Sequence, residues 1–222
     1  MGYERFAPVE RRIDVLGTPY AVWQPPDIDA LIDVAAFERD ERIPYWAHVW
    51  ESAIVLAEEL AAGDGRGLTL LELGCGIGLP AIVAARRGFA ATASDYEPDA
   101  LEAVRHNAAS NGAAGLAVRL LDWRDLPADL GTFDRVVAAD VLYEKHHARA
   151  LADVLGRTLA PGGLGLVADP GRARAAEFEP ACRAASLTVE RRQARRPRGA
   201  TGGPEIDLYV VRRRASSPAP RP

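Results

Sequence analysis

The sequence predicts an α/β fold in which a mostly parallel sheet of seven strands lies between two layers of helices. Three observations support this prediction. Short apolar runs alternate with amphipathic helical segments from residue 68 to residue 185, which is the pattern of repeated β-α units. The first apolar run leads into a glycine-rich loop that opens a helix. Acidic residues stand at the ends of four strand-like runs, where a parallel sheet collects side chains at one edge.

Two elements precede the repeated units. Residues 11–23 predict a β-hairpin around a Gly-Thr-Pro turn, and residues 27–38 predict a helix with one apolar face. We therefore assign residues 1–43 to an N-terminal extension of hairpin and helix.

The pattern of residues 44–62 predicts a helix, and Gly63 is expected to end it. Trp46 and Trp50 stand one turn apart in it, and apolar residues continue the same spacing. Two explanations stay open for the tryptophans. The pair either faces the core or covers the ligand of the loop that comes next, where an aromatic face would meet a positive charge.

The loop after the first apolar strand indicates a cofactor site. Residues 68–73 form a short apolar run with one acid, Glu72, and glycines follow at positions 74, 76 and 78. Leu79 takes the place of the third glycine of a G-x-G-x-x-G pattern, which argues against a dinucleotide. An acid directly before the loop suits a cationic ligand, and S-adenosylmethionine carries a sulfonium and an ammonium group. We therefore expect S-adenosylmethionine as the cofactor.

The next three strands also end at acids. They are residues 90–94 before Asp95, residues 116–121 before Asp122 and Trp123, and residues 133–139 before Asp140. Because ligands bind beyond the carboxyl ends of parallel strands, these acids are expected to meet Glu72 at one edge of the sheet. Asp95 lies where a second strand presents an acid to ribose hydroxyls, although an aspartate here also suits a turn or helix cap.

The remaining residues complete the sheet. They predict helices at 146–158 and 173–185, a turn at 161–163, and strands at 164–168, 188–193 and 206–212. The last two strands are expected to be antiparallel, because the residues between them contain no crossover helix. Residues 213–222 are expected to form a disordered tail.

Composition excludes several classes of protein. Of the 222 residues, 48% are apolar and 26% charged, as in ordinary globular domains. No apolar run approaches the ~20 residues of a membrane span, and the first residues lack a signal-peptide core. A cytoplasmic location and no membrane partner are therefore expected. Cys75 and Cys182 do not form a C-x-x-C pair, so neither a disulfide framework nor a zinc site is indicated.

Charge is distributed unevenly along the chain. Residues 183–222 carry ten arginines against three acids, whereas residues 1–182 have an excess of acids. The basic end is interpreted as a solvated surface, with contact to an acidic partner as the alternative. The acidic remainder disfavours a phosphate backbone, so no nucleic-acid partner is expected. No metal is expected either, since His146 and His147 would point about 100° apart on a helix.

Together these motifs resemble a known class of enzymes. The motifs are Leu-Glu-Leu-Gly-Cys-Gly-Ile-Gly-Leu-Pro at 71–80, the acid at 95, Leu-Asp-Trp at 121–123 and Asp-Val-Leu-Tyr at 140–143. They are similar to those of class I, seven-stranded S-adenosylmethionine-dependent methyltransferases. More closely, the chain resembles the branch of protein lysine methyltransferases that includes the electron-transfer-flavoprotein β-subunit lysine methyltransferase. The resemblance covers about residues 44–212 and implies a Rossmann-like three-layer sandwich over that domain.

The resemblance implies a role for each motif residue on the cofactor side. Glu72, Gly74 and Gly76 would form the loop around the methionine end, and Trp50 would lie beside the methionyl group. Asp95 would hold the ribose. The adenine would be bound by the pair Asp122 and Trp123.

The resemblance also implies an acceptor side. Asp140 and Tyr143 match the D-x-x-Y motif after the fourth strand, where both residues border the methyl-acceptor channel and Asp140 also borders the cofactor. They are the expected catalytic pair. The N-terminal hairpin and residues 194–205 carry no motif and are expected to select the substrate.

The expected function is N-methylation of a lysine side chain in a protein. A small amine or a pyridine-type nitrogen is the alternative acceptor, and a non-catalytic S-adenosylmethionine-binding protein is the alternative from another class. A closed aromatic pocket would favour the small acceptor, and an open acidic groove would favour the protein. The sequence carries no signal for the oligomeric state.

Overall fold

The structure is a computed structural model that describes residues 2–31 and 44–214. The strands are β1 (Val9–Val15), β2 (Thr18–Gln24), β3 (Thr69–Leu73), β4 (Ala90–Asp95), β5 (Ala117–Leu120), β6 (Phe133–Ala139), β7 (Leu159–Asp169), β8 (Leu187–Arg195) and β9 (Ile206–Arg213). The α-helices are α1 (Glu51–Ala61), α2 (Leu79–Arg86), α3 (Pro98–Ser110), α4 (His147–Thr158) and α5 (Phe178–Ala184). Short 3-10 helices lie at Tyr3–Phe6, Asp29–Leu31, Tyr45–Ala47 and Ala173–Glu177.

The central sheet has seven strands in the order β5-β4-β3-β6-β7-β9-β8. Pairing is parallel from β5 to β7, whereas β9 runs antiparallel to both of its neighbours. The predicted mostly parallel sheet with an antiparallel last strand is confirmed. From β3 the chain first adds strands on one side and later on the other, so the order reverses between β3 and β6. Ligands of such sheets bind at this switch point.

The sheet buries both of its faces, which explains why its central strands are apolar throughout. Leu70 and Val137 pack with α1, α2 and α3 on one face. Leu71 and Val136 pack with α4 and α5 on the other. Helices on both faces are the usual cover of a parallel sheet. The three-layer sandwich is therefore confirmed.

The N-terminal hairpin lies outside the central sheet and is attached to α3. β1 and β2 are antiparallel, close to the predicted residues 11–23. The side chain of Asn111 accepts the amide of Ala21 at 3.0 Å and donates to its carbonyl at 2.7 Å. Asn107, one turn earlier, does the same for Trp23 at 2.8 and 3.1 Å. The two amides therefore pair with β2 as a neighbouring strand would.

The helix predicted around the two tryptophans is wrong in its first part. The chain forms a 3-10 turn at Tyr45–Ala47 and then runs extended, so that α1 begins only at Glu51. Trp46 is buried and packs on Phe6, with ring centroids 5.4 Å apart. Trp50 instead donates its indole N–H to the Tyr45 carbonyl at 3.0 Å. Tertiary packing of each ring thus overrides the helical spacing.

The turn predicted at residues 161–163 is also wrong, because these residues belong to β7. The pairing of β6 with β7 is irregular between Phe133 and Arg135, and the glycines accommodate that irregularity. Gly162 has a φ of +77°. A Cβ on Gly163 would stand 2.9 Å from the Ala160 carbonyl oxygen.

The arginine-rich end is largely paired within the chain. Arg191 binds Asp207 at 2.7 Å, and Arg195 forms ion pairs with Glu58 and Glu59 of α1. The amide of Arg198 also donates to Glu58, at 2.7 Å. These contacts attach the loop between β8 and β9 to α1, and they reduce the basic surface left for an acidic partner.

Two expectations fall partly outside the described residues. Of the helix expected at 27–38, the structure describes a 3-10 turn at Asp29–Leu31, and residues 32–38 lie outside the described residues. Of the tail expected at 213–222, Arg213 ends β9 and residues 215–222 lie outside. The division of the chain at residues 43 and 212 stays a prediction. Within residues 2–31 and 44–214, none of the helices has the length and apolar character needed to cross a membrane.

Candidate active site

A cavity of about 330 Å³ opens at the carboxyl ends of β3, β4 and β6. It is lined by all nine residues that the sequence analysis singled out, together with others. The nine are Trp50, Glu72, Gly74, Gly76, Asp95, Asp122, Trp123, Asp140 and Tyr143. The sheet thus brings the predicted site residues to one place, as the rule for strand ends requires.

The glycines of the loop make room for other segments of the protein. Gly74, Gly76 and Gly78 all have positive φ, between +52° and +84°. Added Cβ atoms would stand 2.9 Å from Val141 on Gly74, 3.0 Å from the Trp46 carbonyl on Gly76, and 2.8 Å from Val104 on Gly78. The sequence analysis linked these glycines to a cofactor site. The structure shows that close approach of the chain itself also demands them.

Glu72 is a buried acid at the end of β3, with 2% of its surface exposed. Its carboxylate accepts the amide of Ala81 in the first turn of α2, at 2.8 Å. Burial raises the pKa of Glu72 to about 8, and the neighbouring Asp95 charge acts in the same direction. A positive ligand in the cavity would stabilise the ionised form of this carboxyl.

Asp95 is held at the end of β4 by main-chain amides. Its carboxylate accepts the amide of Gly76 at 2.9 Å and that of Glu97 at 3.0 Å. Burial raises the pKa of Asp95 to about 6, although both hydrogen bonds lower it. Asp95 holds the glycine loop against the start of α3. It therefore also has the structural role of a turn residue, which the sequence analysis gave as the alternative.

Asp122 and Trp123 lie at the outer side of the cavity. Asp122 accepts the amide of Arg124 at 2.9 Å and forms an ion pair with its guanidinium at 2.6 Å. These contacts lower the pKa of Asp122, whose side chain is 39% exposed. Trp123 packs edgewise on His147, with centroids 5.6 Å apart. Arg124 thus pairs with Asp122, the acid that the sequence analysis expected to bind the adenine.

Asp140 lies where β6 ends and adopts a φ of +59°, which is uncommon for a residue with a side chain. Its amide donates to the Ala168 carbonyl at 2.9 Å. Its carboxylate lies 3.4 Å from the Ser52 hydroxyl and forms an ion pair with Arg172. Burial raises the pKa of Asp140, while Arg172 and Ser52 oppose the shift.

Aromatic rings surround Asp140. Tyr143 packs edgewise on Tyr45 at 5.2 Å and on His147 at 4.8 Å. Trp50 packs on Tyr45 at 6.1 Å and on His48 at 5.1 Å. Burial raises the pKa of Tyr143, so its phenol stays protonated across the physiological range. Trp50 lines the cavity as predicted, but Trp46 contributes there through its backbone beside Gly76.

Sequence reasoning missed three side chains around Asp140 and the cavity. Ser52 and His147 escaped because nothing in their spacing links them to Asp140. Arg172 was identifiable in principle, since it follows β7 and the ends of parallel strands share one edge of the sheet. His147 places its Nδ1 2.7 Å from the Val141 carbonyl. In the described part of the chain, no three His, Cys, Asp or Glu side chains gather as metal ligands would.

A second groove, of about 460 Å³, lies at the opposite edge of the sheet. It is lined by the amino ends of β4 and β5 and by loop residues such as Phe89 and Leu116. None of its lining residues is ionisable. It therefore offers no chemistry comparable to that of the first cavity.

The reversing strand order, the glycine loop before α2 and the acids at the strand ends define the class of this protein. The class is the seven-stranded, class I fold of S-adenosylmethionine-dependent methyltransferases, and S-adenosylmethionine is the cofactor that this fold and the family imply. The chain belongs to the lysine methyltransferase family, whose profile matches residues 36–177. The resemblance that the motifs indicated is thereby confirmed.

Two relatives illustrate the match. The chain is 33% identical over 135 residues to the electron transfer flavoprotein beta subunit lysine methyltransferase of Xenopus laevis, covering 59% of this chain and 54% of that protein. It is 36% identical over 124 residues to the protein N-lysine methyltransferase METTL21A of Danio rerio, covering 52% and 56%. The match thus spans little more than half the length of either relative.

A solved structure shows the same architecture. It is the 16S rRNA N2 G1207 methyltransferase RsmC of T. Thermophilus in complex with AdoMet and guanosine, with a TM-score of 0.65. The similarity covers 93% of this chain and 51% of that one at 18% identity. At this identity the similarity concerns the fold alone.

Proposed function

We propose that this chain is an S-adenosylmethionine-dependent N-methyltransferase that acts on a lysine side chain of a partner protein. The observation that carries the proposal is the two-ended cavity. One end, the cofactor end, is built from the glycine loop, Glu72 and Asp95. The other, the acceptor end, is built from Asp140 and the rings of Trp50 and Tyr143. Membership in the lysine methyltransferase family supports the same reaction.

The cofactor end fits a positively charged nucleoside. A volume of about 330 Å³ lies in the usual range of ligand sites. The buried carboxyls of Glu72 and Asp95 have raised pKa values, and a cationic ligand would compensate their charge. In this proposal the methionine end lies against Glu72, Gly74, Gly76 and Trp50, the ribose against Asp95, and the adenine against Asp122 and Trp123.

The acceptor end supplies alignment rather than a nucleophile. When bound, S-adenosylmethionine supplies a methyl group activated by its sulfonium. Asp140 attracts the acceptor's amine, and the rings of Trp50 and Tyr143 border its path and exclude water. Such alignment in a dry channel accounts for much of the rate gain in a displacement of this kind.

A lysine acceptor must lose a proton before transfer. With an ordinary pKa of ~10.4, only about one lysine in 2,500 is neutral at pH 7, which corresponds to about 4.6 kcal/mol. Burial beside Tyr143 and Trp50 lowers the pKa of the lysine, whereas the Asp140 carboxylate raises it. Asp140 therefore positions the acceptor at some cost to its deprotonation, and the proton passes to solvent water before the neutral amine enters the dry channel.

Label transfer tests the proposed function. The protein is incubated with radiolabelled S-adenosylmethionine in lysate of its native cells, and protein and small molecules are separated before counting. We expect label in a protein band, on a lysine by mass spectrometry. Asp140→Asn keeps the shape of the side chain, so it should retain cofactor binding and reduce transfer about a hundredfold. Transfer by this variant at the wild-type rate would exclude Asp140 from the reaction.

One observation favours the small-amine alternative. The acceptor end carries several aromatic rings, as a pocket for a small amine or a pyridine nitrogen would. Exposed acids such as Glu144, with 61% of its side chain exposed, instead favour a protein at the mouth. Label found only among small molecules would establish the alternative. The cytoplasmic location expected from the sequence stays a prediction.

A further inference from the structure

A guanidinium contacts three residues that line the acceptor end of the cavity. Arg172 forms an ion pair with the buried Asp140 carboxylate. The same guanidinium carbon lies 5.9 Å from the ring centroid of Trp50 and 5.9 Å from that of Tyr143. Both distances are within the range of cation–π contacts. A carboxylate and two aromatic faces therefore surround one positive charge.

The turn that carries Arg172 is held firmly. It follows β7, where the Asp169 carboxylate accepts the amides of Gly171 and Arg172, each at 2.8 Å. The position of the Arg172 backbone is thus set by the sheet. The Arg172 side chain is less constrained than its backbone, because 33% of the side chain is exposed, whereas only 5% of the Asp140 side chain is exposed. In residues 2–31 and 44–214, Asp140 is its single carboxylate partner. The guanidinium can therefore leave toward solvent without breaking another ion pair there.

These contacts are the ones that an amine acceptor needs. In its ammonium form the acceptor would be attracted by Asp140 and by the faces of Trp50 and Tyr143, all of which the guanidinium already uses. The guanidinium takes one oxygen of the Asp140 carboxylate and both ring faces. An acceptor ammonium that uses the same contacts therefore competes with it.

We propose that Arg172 occupies the acceptor's cation position and thereby determines specificity. This inference rests on the proposed function, in which Asp140 and Tyr143 bind the acceptor amine. An alkylammonium compensates Asp140 when it displaces the guanidinium. A neutral pyridine-type nitrogen does not, so it would leave Asp140 buried and unpaired. Arg172 thus selects alkylamines such as a lysine side chain over neutral ring nitrogens.

The test is binding of n-butylammonium, which has the chemistry of a lysine side chain. It is titrated into protein saturated with S-adenosylhomocysteine, and tryptophan fluorescence reports occupancy beside Trp50. Arg172→Met removes the competing charge, so n-butylammonium should bind about tenfold more tightly than to the wild type. Pyridine should gain no affinity at pH 8. The gain should vanish in the double variant Arg172→Met/Asp140→Asn.

A matched control comes from the next arginine on the same loop. Arg174 pairs with Glu177 at 2.8 Å on the surface, so Arg174→Met should bind n-butylammonium as the wild type does. Equal affinities in Arg172→Met and Arg174→Met would overturn the inference. If Arg172→Met does not fold, Arg172→Lys replaces it. A lysine lacks the guanidinium's fork of donors, so a smaller gain is expected, and no gain would again overturn the inference.

Two further readouts separate the possible sources of the cation. S-adenosylmethionine has an ammonium group of its own. If Arg172→Met tightens binding of S-adenosylmethionine and not of n-butylammonium, the position belongs to the cofactor and the inference is wrong. The binding experiment does not depend on methyl transfer. If Arg172→Met binds n-butylammonium more tightly but the label-transfer experiment finds no acceptor, only the proposed function is contradicted. Labelled protein without that gain would count against Arg172 alone.

Discussion

The two ends of the cavity hold their acids in different ways. At the cofactor end, Glu72 and Asp95 accept hydrogen bonds from main-chain amides of the first turn of α2, the glycine loop and the turn after β4. At the acceptor end, Asp140 is bound by the side chains of Ser52 and Arg172, which come from distant elements. Main-chain amides are fixed by the fold, whereas side chains exchange partners. The cofactor end is therefore preorganised, and the acceptor end is built to be rearranged.

The largest loss of stability and cofactor affinity is expected from a substitution at Gly74, where the glycine loop packs against Val141. Gly74 and Gly112 have similar φ angles, +62° and +68°, but a Cβ would meet Val141 at 2.9 Å only at Gly74. Gly112→Ala should lower the free energy of unfolding by about 1–2 kcal/mol from backbone strain alone. Gly74→Ala should add about 1–3 kcal/mol from overpacking and weaken cofactor binding about a hundredfold. Urea denaturation and calorimetric titration measure both, and equal losses would contradict the steric argument.

A smaller effect is expected when an acid of the cofactor end is removed. Asp95→Ala leaves the amides of Gly76 and Glu97 without an acceptor, which should weaken S-adenosylmethionine binding about thirtyfold, or ~2 kcal/mol. Asp129→Ala is the matched control, because Asp129 pairs with Arg119 on the surface and does not line the cavity. It should leave cofactor affinity unchanged and cost less than about 1 kcal/mol of stability. Cofactor affinity unchanged in Asp95→Ala would remove that acid from the site.

The cofactor end also predicts a pH dependence of the empty protein. Glu72 has a pKa near 4.5 when unfolded and about 8 when folded, so the folded protein holds a proton that the unfolded chain releases between those values. The free energy of unfolding should therefore fall as the pH rises through this window. Above pH 6.5 Asp95 contributes little, since its folded pKa is about 6.

Substitution isolates the contribution of Glu72. Glu72→Gln should flatten the decline in stability between pH 6.5 and 8 by at most about 1.4 kcal/mol per pH unit. The exposed Glu190 provides the control, and Glu190→Gln should keep the wild-type slope. Denaturant midpoints at several pH values measure the effect. Identical slopes in all three proteins would show that Glu72 does not bind the proton.

The smallest effect is expected at the exposed rim of the cofactor end. Arg124→Ala releases Asp122 from its ion pair, and exposed pairs of this kind contribute about 0–1 kcal/mol. If Asp122 binds the adenine, its release should improve cofactor affinity by about two- to threefold. Calorimetry against the wild type measures the change. A loss of affinity would instead make Arg124 a direct contact of the cofactor.

The same difference between the two ends explains how far the sequence could predict the site. Glu72, Asp95 and the glycines were found because an acid at a strand end and closely spaced glycines form a pattern within a few consecutive residues. The mostly parallel sheet followed from the repeated β-α units, and the antiparallel last strand from the missing crossover helix. Arg172 lies 32 positions from Asp140, and its pairing depends on how β6 and β7 align in space.

The two tryptophans show a different kind of error, because their spacing predicted a helix that the structure does not have between them. Trp46 and Trp50 have helical spacing, but one ring is drawn to Phe6 of the extension and the other to Tyr45. Packing against Phe6, some forty positions earlier, leaves no periodic signal. Spacing therefore left open whether the two rings face the core or the ligand, and it failed to predict the conformation between them.

Asn107 connects the N-terminal hairpin to the glycine loop, and this connection limits how far the chain can be shortened. This fully buried amide donates to the Trp23 carbonyl and also to the Ile77 carbonyl in the glycine loop, each at 3.1 Å. A shortened chain that starts at residue 44 would retain every motif residue and still leave Asn107 without its partners in β2. The motif-bearing segment is therefore not a minimal unit, and a truncation designed from the motifs alone would damage the loop that it was meant to preserve.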